Sequence, residues 1–573
     1  MAEKLSLSKG KHFFVMGVQA LNYSMERSYA SNSGVLGGFT YSGQFSGHAF
    51  SDFLLDQVSQ KGIGGAAPWT HKQNRIGAYL QDDFKATSKL TLNLGVRWEY
   101  VSPLVEENDR QVSYDLTTGQ ALFAGAVDSA ACAGHRAGCT TGSRALYNAY
   151  YGGFSPRLGF AWTINDKTVL RGGYGMVQYQ EGTGANNRLP QNSPFTPADA
   201  TRAYTSAPGS AALGFSDTAA GSAGAVAAGS IRVVDPDMKP QLTHQWNLFI
   251  ERQVSDSTSL SIGYVGHDAS RLASFSDANQ PLPGTGDPST WADAELRRPL
   301  KSILPNATSV RFTASEGNSK YNGLQASLRR RRSKGLEFLA SYTFSKAMQD
   351  NTGFYSAGWG ATSNFNAHGP GDSHQNNREP EKEYGPSFFD TKHNFVLSGN
   401  YELPFGKGRS IGSDWSGVQQ SLLGGWNVSA IFTARSGFPV TVTDGWNNRS
   451  LQPTFAFARP DRIGDGQLDG DWRKGEPILD ITAFRESAPG KFGDAGVGIL
   501  RGKGYYMLDM GLDKNFSLGG ARSLTLRLEA FNVLNHANPG MPNRDFSDKA
   551  NFGKVTYVAN APRILEFALK FHF

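Results

Sequence analysis

The sequence lacks any long apolar stretch. Nowhere do about 18 consecutive apolar residues occur, which is the length that a transmembrane helix needs. The mean hydropathy of −0.40 is that of a polar chain. These features exclude helical membrane spans, so any membrane that this chain crosses must be crossed by strands.

The chain also has almost no excess of charge of either sign. The 56 Lys and Arg residues against 50 Asp and Glu residues leave a net charge of only +6 over 573 residues. The densest basic run, Arg329 to Arg332, has neither stacked aromatic residues nor a known nucleic-acid-binding motif around it. We interpret the excess as scattered surface charge and predict no nucleic-acid partner.

Cysteine is almost absent. The only two, Cys132 and Cys139, are separated by Ala-Gly-His-Arg-Ala-Gly in a glycine-rich segment. This arrangement fits a local disulfide formed in an oxidising compartment, with two unpaired thiols as the alternative. A metal site built from the two cysteines and His135 is less suited, because zinc normally takes four ligands.

What the chain does contain is a two-residue alternation, clearest at its end. Leu565, Phe567, Leu569, Phe571 and Phe573 lie on one face of a predicted strand, and Glu566, Lys570 and His572 lie on the other. The first face suits lipid and the second suits a wet lumen. We interpret Phe567, Leu569, Phe571 and Phe573, which include an aromatic terminal residue, as the signal read by a barrel-assembly machinery.

The same alternation recurs along the chain. Further copies are Leu90 to Tyr100, Trp246 to Ile250, Leu260 to Tyr264, Leu336 to Phe344, Phe395 to Tyr401, Trp426 to Phe432 and Leu524 to Leu528. Arg97, Arg527 and Glu529 fall in mid-strand on the polar side, where a dry core would cost several kcal/mol for each unpaired charge. The pattern therefore predicts an all-β fold, a transmembrane antiparallel β-barrel with a wet interior.

Connections between the predicted strands alternate in length. Short ones occur at 86–88, 165–167, 255–257, 333–335 and 518–520, and long ones at 24–73, 102–153, 181–240, 268–320, 348–388, 436–504 and 535–560. Outer-membrane barrels have short periplasmic turns and long extracellular loops. This register predicts about 14 strands from His12 onward, a further partial strand at Lys4 to Ser8, and one longer periplasmic connection at Pro404 to Gln420.

Two segments allow more than one interpretation. The apolar stretch Phe13 to Val18 is too short for the core of a signal peptide, so we predict a strand there. Ala49 to Leu55 resembles a short amphipathic helix inside the first long loop, and a loop-packing turn is the favoured alternative.

Several local motifs resemble one family. They are Tyr79 to Lys85, Leu90 to Tyr100, Phe154 to Phe160, Leu170 to Gly175, Tyr321 to Gln325, Ser341 to Lys346, Tyr401 to Gly406 and Glu529 to His536. In order and spacing they are similar to TonB-dependent receptors, and more narrowly to the Oar-like receptors that carry a carboxypeptidase-regulatory-like domain. The resemblance covers nearly the whole chain and is weakest in the long loops.

This resemblance implies a barrel of 22 strands with an N-terminal plug, energised by the TonB complex. Residues 1–573 then correspond to the C-terminal part of that barrel, and the plug, the regulatory-like domain and seven or eight strands are absent from this sequence. The expected function is an outer-membrane receptor that binds and imports or translocates a large or scarce ligand. The alternative is a passive outer-membrane porin of about 14 strands.

Ligand contacts are expected from aromatic residues in the long loops, with Trp359, Tyr384, Trp446 and Trp472 as candidates. Asp465, Asp469 and Glu476 almost fit a calcium loop, but position 3 is Gln467 and a plain acidic loop is the alternative. No other cofactor is expected.

No enzymatic activity is expected either. Gly408 to Gly412 matches Gly-x-Ser-x-Gly without the strand-to-helix context that a nucleophile elbow needs. The expected partners are outer-membrane lipid and lipopolysaccharide, the barrel-assembly machinery, the TonB complex and an unidentified extracellular ligand.

Overall fold

The computed structural model describes most of the chain. The described residues are 1–29, 34–64, 67–127, 132, 135, 137–179, 188–195, 200–216, 218–220, 229–284, 294–350, 374–444, 458–488 and 490–573. Helices are few and short, and none in these ranges is both long and apolar enough to cross a membrane.

One large antiparallel sheet forms the wall of the molecule. Its strands are β1 (Ala2–Lys9), β2 (His12–Tyr29), β3 (Ala67–Lys85), β4 (Leu90–Val101), β5 (Phe154–Asn165), β6 (Thr168–Tyr179), β7 (Gln241–Ser255), β8 (Thr258–Asp277), β9 (Ala307–Ser333), β10 (Leu336–Gln349), β11 (His393–Glu402), β12 (Trp426–Arg435), β13 (Tyr505–Ser517), β14 (Ser523–Phe531) and β15 (Ile564–His572). Each strand pairs with the next one in the chain. The predicted strands at both ends of the chain are thus present.

The pairing register keeps the two faces of the wall apart. Leu528 of β14 lies between Leu512 of β13 and Phe567 of β15, so apolar side chains form a continuous outward face. Arg527 pairs with Asp513 one residue away and points to the other side, which we call the lumen face. The predicted division into a lipid face and a polar face is confirmed, because the register places residues of the same parity side by side on each face.

Short turns and long connections alternate along the wall as expected, and we call the short-turn end periplasmic. Two of the predicted loops are longer than the actual ones, however. β2 and β3 extend into segment 24–73, and β8 and β9 extend into segment 268–320. Their outer ends are polar and remain paired in the sheet, where several of their residues are buried.

The first and last strands each have one free edge among the described residues. β1 pairs with β2 and β15 pairs with β14, and no ladder joins β1 to β15. Every residue of β1 is exposed, and β15 is exposed throughout except at Ala568. The wall is therefore a curved sheet with two unpaired edges, each presenting free N–H and C=O groups.

The long connections contain secondary structure of their own. Their strands are Gly38–Thr40, Gln60–Ile63, Val105–Glu106, Val112–Tyr114, Ala121–Ala124, Cys139–Gly142, Ala200–Ala203, Ala219–Ala220, Gly229–Val234, Gly385–Pro386, Pro439–Val440, Asp461–Arg462, Phe484–Arg485 and Leu500–Arg501. Short 3-10 turns are Leu189–Gln191, Ala211–Leu213, Ala294–Arg297, Pro380–Glu383, Trp472–Lys474 and Ile481–Ala483. Helix α1 (Ala49–Leu54) lies in the first loop, where the sequence allowed a short helix but favoured a loop-packing turn, and helix α2 (Gly417–Leu423) lies in the long periplasmic connection.

The hydrophobic cores lie mainly in these connections. One combines residues between Val440 and Leu500 with Phe546, Phe552 and Val555. A second joins segments 112–123 and 231–233 to residues 304–310, and a third packs Leu146, Tyr147 and Leu189 against Met238. Together the long connections at the end opposite the short turns form a folded layer, which we call the cap.

Candidate functional site

The cap covers the outer ends of the lumen face. Trp69, His71, Thr243, Ala269 and Ala347 have the lumen-facing parity of their strands, lie near the outer strand ends and are buried. Burial of Trp69 and His71 among loop residues replaces the water that a plain pore would hold there. The outer ends of the lumen face are therefore covered by protein.

Nearer the periplasm the lumen face borders an open cleft of about 1080 Å³. Its lining includes Arg329, Arg331, Arg527, Glu251 and Glu529. Arg527 donates to Glu529 at 2.7 Å and lies 3.6 Å from Asp513. Mixed charges with water access are what the alternation predicted for this face, and they make the cleft suited to a polar occupant.

A buried ion pair ties two loops of the cap together. Arg459 donates from both terminal nitrogens to the Glu383 carboxylate, at 2.5 and 3.0 Å, and from Nε to the Ala495 carbonyl at 2.7 Å. The two side chains are only 4% and 2% exposed. The backbone N–H of Arg459 in turn donates to Gln375, whose amide reaches the Gly493 carbonyl at 3.0 Å. The connection between β10 and β11 is thus locked to the connection between β12 and β13.

A second tie joins the cap to the wall. The Asp390 carboxylate accepts from the backbone N–H of Ala347 at 2.7 Å and from the Arg501 guanidinium, and its side chain is 1% exposed. Arg501 also donates to the Gly437 carbonyl at 3.1 Å. The cap is therefore anchored at the outer end of β10 by a charge-assisted bond.

Glu106 organises another part of the cap. Its buried carboxylate accepts from Arg110 at 3.0 Å and from the backbone N–H groups of Thr70, Asn108 and Arg110. Burial alone would raise the pKa of Glu106, but the bonds from Arg110, Asn108 and Thr70 together hold its pKa below the usual range. The group is ionised at neutral pH and fastens β3 to the loop that follows β4.

The four aromatic ligand candidates do not form one described site. Trp359 and Trp446 lie outside the described residues. Tyr384 follows the turn Pro380–Glu383 and is 42% exposed. Trp472 stacks against the Arg473 guanidinium, whose centre is 5.4 Å from the ring centroid. Ligand contact by any of them remains a prediction.

Trp472 borders a pocket of about 610 Å³ at the outer rim, which Arg435, Lys503 and Tyr506 also line. Tyr506 has the outward parity of β13 and hydrogen-bonds His536 at 2.9 Å. The pocket therefore opens at the outer end of the lipid face of the wall. Tyrosine and histidine are typical of that interface because they join an apolar ring to a polar tip.

The three acidic calcium candidates have separate protein partners. Asp465 lies 3.3 Å from Arg462, Asp469 pairs with Lys503, and Glu476 accepts from the Asp471 backbone at 2.8 Å. In the described part of the chain no three His, Cys, Asp or Glu side chains are grouped so that they could hold a metal ion. Calcium binding remains a prediction that these contacts do not favour.

Cys132 and Cys139 are joined in a disulfide, with their Cα atoms 5.9 Å apart. The bridge closes a small loop, and His135 inside it contacts the rings of Tyr114 and Phe123. Burial lowers the pKa of His135. The bridged loop thus packs on the second hydrophobic core of the cap.

Phe567, Leu569, Phe571 and Phe573 are strongly exposed on the outward face at the end of β15. Phe571 and Phe573 stack with ring centroids 6.0 Å apart. Recognition by an assembly machinery remains a prediction for these residues.

Sequence reasoning missed the ties of the cap. Glu383 and Arg459 are 76 residues apart, and Asp390 and Arg501 are 111 apart. No period or spacing connects such residues, so no local signal could have identified these pairs.

A family model described as an outer membrane beta barrel domain matches residues 1–566. Among solved structures, similar ones include the outer membrane transporter YddB from Escherichia coli, at 10% identity and a TM-score of 0.48, covering 99% of this chain and 52% of that chain. The ferripyoverdine receptor of Pseudomonas aeruginosa is 11% identical with a TM-score of 0.46, covering 99% and 46%. No curated protein matches.

The chain spans about half the length of these solved structures. The family match, by contrast, extends over nearly all of its residues, and it agrees with the alternating strands, the short and long connections and the apolar outward face. Proteins of this kind reside in the outer membrane of Gram-negative bacteria. The chain therefore belongs to the outer membrane beta barrel domain family.

Proposed function

We propose that this chain is the transporter wall of a TonB-dependent receptor, which binds a large or scarce ligand at the cap and imports it with energy from the TonB complex. The observation that carries the proposal is the folded cap over a polar cleft. A passive pore needs a water path from end to end, whereas here Trp69, His71 and Ala347 are buried at the outer ends of the lumen face. The family motifs quoted from the sequence support the same assignment, including the narrower Oar-like relationship.

The proposal includes a larger barrel. In lipid each unsatisfied backbone group costs several kcal/mol, so the free edges of β1 and β15 need partners. Further strands would pair with them, and a plug would occupy the charged cleft of about 1080 Å³ beside Arg329 and Arg527. An immunoblot of native outer membranes tests this part. We expect a species larger than 62.0 kDa, and a band at 62.0 kDa would contradict it.

Conductance separates a receptor from a porin. The native protein in a planar bilayer should give no steady current, because the cap closes the outer mouth. A variant lacking residues 458–488, which carry Arg459, Ile478 and Leu479, should conduct. Steady current through the native protein would favour the passive porin of about 14 strands.

Energy coupling is tested in cells. Binding of the ligand to whole cells should persist when the TonB complex is deleted, while its accumulation inside should stop. Accumulation that is unchanged by the deletion would refute the TonB-dependent part of the proposal. The proposal assigns no covalent chemistry to the chain.

A further inference from the structure

The longest periplasmic connection, Leu403 to Gly425, contains helix α2 and folds against the outward face of the wall. The evidence begins with Trp426 and Lys514, which are paired across β12 and β13. Two residues further along, Val428 pairs with Leu512 on the outward face, so Trp426 and Lys514 share that face. Whatever covers them therefore lies on the lipid side.

The end of helix α2 covers them. The Trp426 indole N–H donates to the Leu422 carbonyl at 2.9 Å, and the Lys514 ammonium donates to the Gly424 carbonyl. The last carbonyls of a helix have no partner within the helix, so these two side chains satisfy them. A cation at this end is also favoured by the helix dipole.

Lys514 is held by more than one contact. Its ammonium lies 5.0 Å from the ring centroids of both Trp426 and Phe516, and the residue is only 1% exposed. A charged side chain on the outward face is costly in lipid unless it is paired. The Gly424 carbonyl and the two rings supply that pairing, which fixes the helix against the wall.

The opposite side of helix α2 is apolar and uncovered. Val418 and Leu422 are one helical turn apart and are 72% and 60% exposed, and Leu423 is 52% exposed. Gln420 instead turns inward and accepts from the Lys407 backbone N–H at 2.6 Å. Gln420 therefore faces its own connection, whereas the exposed apolar side chains lie on a helix whose end contacts the outward face at Trp426 and Lys514.

We propose that helix α2 is an interfacial foot, which inserts Val418, Leu422 and Leu423 into the periplasmic leaflet of the outer membrane. The occupant of this apolar face is phospholipid, because the helix end packs on the outward face of the wall at Trp426 and Lys514. Tryptophan is typical of that depth. An amphipathic segment at the interface buries its apolar face at the boundary between headgroups and acyl chains. Unlike the transport proposal, this inference does not depend on ligand or energy source.

Depth-dependent quenching tests the foot. The protein as produced in cells is reconstituted in phospholipid vesicles with a nitrobenzoxadiazole label on Val418→Cys or Leu422→Cys. The native cysteines are bonded to each other, so the introduced cysteine is labelled alone. Brominated lipids should quench both labels about as strongly as a label on Leu526→Cys, which lies on the outward face of β14.

Controls separate insertion from mere proximity. A label on Thr525→Cys, on the lumen face, should be quenched much less. Leu422→Asp keeps the carbonyl that Trp426 binds, and it should abolish quenching of the label on Val418→Cys. All variants are first checked for heat-modifiable migration, which reports a folded barrel.

Two results would overturn the proposal. If the labels on Val418→Cys and Leu422→Cys stay unquenched while that on Leu526→Cys is quenched, the helix faces water. If photocrosslinking from Leu422 in cells captures a periplasmic protein and no lipid, the occupant is a protein partner instead of the leaflet.

Discussion

Replacing Arg459 by methionine should loosen the cap without disturbing the wall. The substitution removes two bonds to Glu383 and one to the Ala495 carbonyl, and it leaves a carboxylate that is 2% exposed without its cation. Removing one partner of a buried pair costs about 3–5 kcal/mol. If the cap opens as a unit, amide exchange in segments 375–384 and 458–462 should quicken by about two to four powers of ten, since each 1.4 kcal/mol is tenfold.

Hydrogen exchange read by mass spectrometry measures this, with the ladder of β13 and β14 as the internal reference. The matched control is the double variant Arg459→Met with Glu383→Gln, which removes the stranded charge and should recover part of the loss. Equal acceleration in the single and double variants would refute the reasoning, because the cost would then come from lost packing. Acceleration in β13 and β14 as well would show that cap and wall unfold together.

Three further predictions concern the cap. Glu106→Gln should lower the stability of the cap by about 1–3 kcal/mol at neutral pH. Because the pKa of Glu106 is lowered, its stabilising contribution is present above the usual value of 4.5 and is lost as the pH falls through the lowered pKa. Thermal unfolding curves of the native and variant proteins should therefore converge in acid. Ile478→Ala should destabilise the first core by about 2–5 kcal/mol, measured by protease resistance of the cap, and unchanged resistance would contradict its burial. Calorimetric titration with calcium should give no saturable heat because Lys503 already pairs with Asp469, and saturable heat that Asp469→Asn abolishes would restore the calcium loop.

The wall was predictable because its information is local. Each strand carries its own alternation and pairs with the next strand in the chain, so pattern and turn length suffice to place Leu528 outward and Arg527 inward. Charges on the outward face were not predicted. Asp82, for example, lies outward near the periplasmic end, where His12 bonds it at 2.7 Å, and only the pairing of β2 with β3 brings the two together.

The cap was predictable only as a set of long loops. Its cores combine distant segments, as when Val440 packs in one cluster with Phe552, and no period in the sequence marks such contacts. Its polar ties require side chains 76 and 111 residues apart to meet. Non-local packing of this kind follows from tertiary structure, which explains why the ligand candidates Tyr384 and Trp472 could be named from the sequence but not assembled into a site.

The two layers depend on different forces, and this has a consequence for ligand binding. The wall relies on ladder bonds and lipid contact, whereas the cap relies on its own hydrophobic cores and buried ion pairs. A ligand that binds only the closed cap stabilises it in proportion to the logarithm of its concentration over Kd. Conversely, a variant that opens the cap lowers the apparent affinity in proportion to the fraction of molecules whose cap stays closed. Arg459→Met should therefore lower apparent affinity even if Arg459 never touches the ligand, once its cost exceeds the stability of the cap.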